Sequence, residues 1–127
     1  LIYSIIFLEV GARTHKIPVY GMTDHPTARE MIGYLLVRGG THVLAYAKAI
    51  EIAKGTDLTK MLPIPSLDNS KFDYARKFEK LGLNNVLYTW SDSDYLGIKQ
   101  IWKGTNLENG EKLMVIEGHQ KRLLFLI

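Results

Sequence analysis

Glu9 and His42 are the two residues of this chain best suited to hold a metal ion. Glu9 lies in Phe7-Leu8-Glu9-Val10-Gly11-Ala12-Arg13, a carboxylate set among apolar neighbours. Such a group is costly to bury unless it is paired or bound to a cation. His42 closes the run Leu35-Leu36-Val37-Arg38-Gly39-Gly40-Thr41-His42, and its helical neighbours at three- and four-residue steps include Ala45, Tyr46 and Ala49. One carboxylate and one imidazole on adjacent antiparallel helices make half of a dinuclear site. Each has an ordinary explanation as well. Glu9 can pair with Arg13 four residues on at a surface, and a histidine on an apolar face is commonly a satisfied core residue. Lys16 follows Glu9 by two turns on the same face, where its ammonium can draw a small ligand to a pocket mouth or snorkel into water. Arg38 precedes His42 by four and shares its side, as an ion-pair partner for a supporting carboxylate. His15 suits a packing or capping role, His25 a turn, and His119 a solvated end.

These residues need helices to position them. Residues 1 to about 17 have helical spacing, with Ile2, Ile5, Glu9, Ala12 and Lys16 on one face. Pro18 sets the expected end of this segment. Tyr20 to Pro26 reads as a connector, with Asp24 or His25 as cap and Pro26 in the first helical turn. A second helix is expected from about Thr27 to Ala53, stopped at Gly55. Its inward face would carry Met31, Leu35, His42, Ala45, Tyr46 and Ala49. The Gly39-Gly40 pair costs that helix about 2 kcal/mol relative to alanine, which points to a close neighbour there. A short link makes the two helices antiparallel neighbours.

The pattern changes after Thr56. Met61-Leu62-Pro63-Ile64-Pro65-Ser66 is extended and proline-punctuated. A helix is expected from Asn69 to about Leu81 and a strand at Val86 to Trp90. A short helix, capped by Ser91 or Ser93, would run through Trp102 to a stop at Gly104. Asn109-Gly110 marks a turn and Lys112 to Ile116 a further strand. The chain therefore divides into a helical hairpin at 1–55 and an extension at 56–127 with short helices and strands.

Bulk composition narrows the function classes. The 127 residues suit one domain in length, and 46% are hydrophobic and 23% charged. Mean hydropathy is near zero, the range of a globular domain and not of a membrane or disordered chain. There is no cysteine, which excludes disulfides and thiolate metal sites. The formal charge of +3 is spread along the sequence without an aromatic-basic stripe, so nucleic acid is not an expected partner. The apolar start lacks a basic leader and a cleavage pattern and is too short to span a bilayer. It reads as the inside of a helix, with residues missing upstream. Dinucleotide, P-loop and nucleophile-elbow motifs are absent, and no Glu-x-x-His occurs.

Longer blocks are more specific. Phe7 to Lys16, the link Val19-Tyr20-Gly21-Met22-Thr23-Asp24-His25-Pro26, and Ala28 through His42 resemble the manganese catalase family. So do Asp57-Leu58-Thr59-Lys60-Met61-Leu62-Pro63-Ile64-Pro65, Asp68-Asn69-Ser70-Lys71 and Ile101-Trp102-Lys103-Gly104. The similarity covers most of residues 3 to 117. It implies a mainly α fold, in which the two antiparallel helices belong to a ferritin-like four-helix bundle and the remainder forms a mixed C-terminal extension. It implies conversion of hydrogen peroxide to water and dioxygen at a dinuclear manganese site, in a cytoplasmic homo-oligomer with a role in oxidative stress. By this resemblance Glu9 and His42 are manganese ligands and Lys16 is a catalytic residue at the pocket. The chain corresponds to the C-terminal half, beginning within the third core helix, and the bridging carboxylates belong to the missing N-terminal half or to other subunits. Two features depart from the family: Gly21 stands where some relatives carry a pocket glutamate, and the apolar tail Leu123-Leu124-Phe125-Leu126-Ile127 replaces a polar extension. The alternative is a non-catalytic helical self-association module derived from the same fold.

Overall fold

A computed structural model of the protein describes residues 2–55, 67–89, 97–106 and 109–117. It is mainly helical and resolves into two compact units, Leu1–Asn84 and Asn85–Ile127. The expected proline-rich segment at 61–66, the Ser91 and Ser93 caps, Trp90, His119 and the apolar tail lie outside the described residues.

The first unit is built on an antiparallel pair. Helix α1 spans Ile2–Met22 and helix α2 spans Pro26–Lys54, joined by three residues. Pro18 does not end α1 as expected but lies within it. Thr14 and Pro18 are both exposed, so water can take the Thr14 carbonyl that loses its helical donor. Continuation past Pro18 is rewarded at Tyr20, which is buried against Phe72 in an edge-to-face contact and accepts the Tyr74 backbone N–H at its hydroxyl. The start of α2 matches the reading of Pro26 as a first-turn residue. His25 occupies the cap position in extended conformation, without a side-chain capping bond. At the other end Gly55 adopts φ 67°, and its N–H closes onto the Glu51 carbonyl. Glycine takes this left-handed geometry without the cost a Cβ imposes.

The seam between α1 and α2 is apolar. Ile6, Val43, Ala47, Ile50 and Leu67 form the core cluster, with Val10, Leu44 and Tyr46 packed on it. The buried side of α2 therefore runs through Gly33, Leu36, Gly40, Val43, Ala47 and Ile50, at steps of three and four. The face expected to be inward is turned away from this seam. Met31 remains 63% and Leu35 43% exposed, and His42, Ala45, Tyr46 and Ala49 are half-buried. A two-helix pair buries only the stripe facing its partner, and the stripe that would face further helices stays open.

Helix α3, Asp73–Lys80, packs across α2, shorter than the expected 69–81 segment. The close approach anticipated at Gly39-Gly40 occurs instead at Gly33. A Cβ there would meet the Ala75 nitrogen at 2.8 Å and the Tyr74 carbonyl carbon at 2.9 Å. Among the described residues, nothing comes within 4 Å of a Cβ built at Gly39. Tyr34 and Phe78 stack edge-to-face beside this crossing, and Lys77 pairs with Glu30.

The second unit carries a two-stranded parallel sheet. Strand β1, Val86–Thr89, pairs with strand β2, Met114–Glu117, in the register Val86 to Met114 through Thr89 to Glu117. Parallel strands need a crossover, and this one contains the one-turn helix α4, Ile98–Ile101. The expected turn at Asn109-Gly110 is present, with Gly110 at φ 71°. Trp102 is buried and its indole donates to the Asn85 carbonyl at 3.0 Å. The Asn85 side chain is held by Asn106, at 2.8 Å, and by Glu111.

Candidate metal centre

Helix α1 presents Glu9 and helix α2 presents His42 toward each other. His42 Nδ1 and Glu9 Oε1 lie 3.9 Å apart, with 45% of the histidine side chain and 28% of the glutamate side chain accessible. That gap is longer than a hydrogen bond. The two donors thus converge without closing on each other, on the open side of the pair. The antiparallel arrangement makes this possible, because it brings a residue near the start of α1 level with one past the middle of α2.

The electrostatics keep the imidazole neutral. Burial lowers the His42 pKa from its ordinary value, the Arg38 guanidinium lowers it further, and Lys16 adds to the effect. The Glu9 carboxylate acts in the opposite direction but does not outweigh them. A metal-ligating histidine must present a free ring nitrogen, so a depressed pKa suits that role.

Arg13 and Arg38 serve the scaffold. Arg13 is buried, and its guanidinium donates to the Leu36 carbonyl at 3.0 Å and the Asp68 carbonyl at 3.3 Å. It is drawn into the α1–α2 seam, in place of the exposed Glu9 pairing the sequence allowed. Arg38 donates to the Leu83 carbonyl at 2.6 Å. Beside it, the Thr41 hydroxyl donates within reach of the Val37 and Asn84 carbonyls. These bonds fasten the turn after α3 to the middle of α2, one residue from His42. The sequence offered no sign of them, since a backbone carbonyl forty residues away carries no signature.

Lys16 is half-buried on the Glu9 side of α1 and close enough to His42 to act on its titration. His15 and His25 are exposed. Among the described residues, no group of three or more His, Asp or Glu side chains is placed to hold a metal. No helix among them is long and apolar enough to cross a membrane. The donor chemistry of Glu9 and His42, one hard oxygen and one neutral imidazole, fits a divalent first-row ion. The pair fits it as part of a ligand set, to be completed by other donors.

Comparison with protein families matches residues 2–122 to a model described as manganese containing catalase. No curated protein matches the chain.

Proposed function

Because the chain belongs to the manganese-containing catalase family, whose members are ferritin-like helical bundles, we propose that it takes part in the disproportionation of hydrogen peroxide to water and dioxygen at a dinuclear manganese site. The observation that carries this reading is the convergence of Glu9 and a neutral-leaning His42 across two antiparallel helices. Ferritin-like di-metal bundles draw their ligands from facing helices in this manner. Manganese would supply the redox step, cycling as a pair between divalent and trivalent states.

The chain's own residues would bind, orient and shield. Glu9 supplies a carboxylate oxygen and His42 a ring nitrogen. Lys16 sets a positive charge beside them, where it favours an approaching peroxide oxygen and its anion. The apolar residues around the pair exclude water once the face is covered. In functional terms the hairpin at 1–55 is the ligand-bearing segment and 56–127 its extension. The remaining donors, the bridging carboxylates among them, would come from an N-terminal half outside this sequence or from other subunits. We place this activity in the cytoplasm, in a homo-oligomer, as protection against oxidative stress.

The test is oxygen evolution from peroxide together with bound manganese. Both are measured on the chain alone and after helices bearing a Glu and a Glu-x-x-His are joined upstream. The expected result is little turnover from the chain alone and a gain of several orders of magnitude in the extended protein, lost in Glu9→Ala and His42→Ala. Lys16→Met should retain metal but lower turnover. Absence of any gain, or alanine variants as active as the parent, would count against the reading.

A further inference from the structure

The open side of the hairpin has one stripe per helix. On α1, Ile5, Glu9, Ala12, Lys16 and Val19 recur at steps of four and three, and Leu8, 72% exposed, borders them. On α2, Met31, Leu35, His42 and Ala49 do the same. The only charged side chains in these two stripes are Glu9 and Lys16, one of each sign. The surface is apolar, neutral as a whole, and centred on a ligand pair that lacks further donors.

We propose that two copies of this chain pair through this face, so that each contributes Glu9 and His42 to one shared metal site. The proposal rests on the reading of these two residues as manganese ligands and names a source for the missing donors. Three observations select a second copy. First, the area suffices. Helix α1 has 21 residues, so it is about 30 Å long, and two helices about 10 Å apart present roughly 600 Å². Two such faces bury about 1,200 Å² in all, the lower bound of a specific, stable interface. Second, the Glu9 and Lys16 charges cancel within each face, so like faces meet without net repulsion. Third, the geometry is self-consistent. A two-fold axis along the hairpin, midway between the faces, sets α1 against the partner's α2. Every neighbouring helix pair is then antiparallel, the arrangement favoured by helix dipoles. Rotation about that axis leaves heights unchanged, so Glu9 lies level with the partner's His42. Two carboxylates and two imidazoles then converge on one point from two chains. Helices oriented any other way would move the two pairs apart along the bundle.

Sedimentation equilibrium of the full chain, with manganese(II) alone as the probe, tests this. The expected result is a dimer whose dissociation constant tightens at least tenfold on adding manganese. Leu35→Glu should give a monomer with unchanged helicity by circular dichroism, which separates loss of pairing from loss of folding. Glu9→Ala and His42→Ala, each alone, should dimerise but lose the response to manganese. Mixed together they should regain part of it, because the mixed dimer again holds one carboxylate and one imidazole. A monomer that binds manganese through Glu9 and His42 overturns the pairing and leaves the proposed function standing. A dimer indifferent to manganese and to both alanine variants overturns the shared site, and the proposed function with it.

Discussion

His42 is held in a setting that disfavours its charge, and this has a consequence for stability. Burial and then Arg38 lower its pKa in the folded chain, whereas the unfolded chain titrates at about 6.5. Between these values the unfolded state binds more protons than the folded one. The favourable contribution is therefore fully present above about pH 6.5 and is lost as pH falls toward the folded value. Nuclear magnetic resonance of the metal-free chain should show the His42 ring titrating below His15 and His25, which are exposed. Thermal melts of the parent should weaken over the same range, and His42→Gln should flatten that slope. A ring that titrates at or above the ordinary value would contradict the electrostatic account. Glu9 and His42 were legible in the sequence as an acid and an imidazole in apolar helical company. The positions of Arg13 and Arg38 were not, because their acceptors are main-chain carbonyls whose location depends on how the chain returns.

At the level of the helices, periodicity and breakers were informative to different degrees. Proline at the start of α2 and Gly55 at its end marked real boundaries, since each acts through its own backbone geometry. Pro18 misled, because a helix can absorb a lost hydrogen bond on its wet side when packing further along compensates. The glycines misled in the same way: Gly39-Gly40 looked like the crowded point, and Gly33 is. Crowding is a property of the neighbour, here the Tyr74-Ala75 backbone. Gly33→Ala should destabilise the chain by about 1–3 kcal/mol through overpacking against main-chain atoms that cannot turn aside. Gly40→Ala faces only the Leu67 Cβ, at 4.0 Å, an ordinary contact. It should stabilise the helix by up to about 1 kcal/mol. Denaturant titration of both variants checks the contrast, and equal effects would refute it.

At the scale of the whole chain, the question is which apolar residues are core in this chain and which await a partner. Leu36 is fully buried in the α1–α2 seam, while Leu8 is 72% exposed. Leu36→Ala should cost about 2–5 kcal/mol. Leu8→Ala should change the stability of the isolated chain by no more than about 0.5 kcal/mol. Its cost should rise once the face is covered, whether by upstream helices or by a second copy. Unfolding measured at low and high protein concentration separates these cases, and a concentration-independent Leu8 effect would argue against a covered face.

Composition, helical periodicity and long family-like blocks determined by themselves that this is a helical chain of the manganese-containing catalase family, and picked out an acid and an imidazole one helix apart. Those signals are local or additive, so they survive without coordinates. Tertiary structure alone decided that α1 runs past Pro18, that Gly33 is the tight crossing, and that the stripe bearing Glu9 and His42 faces away from the seam the two helices share. Each depends on contacts between residues tens of positions apart, where burial free energy overrides the preferences of any single residue.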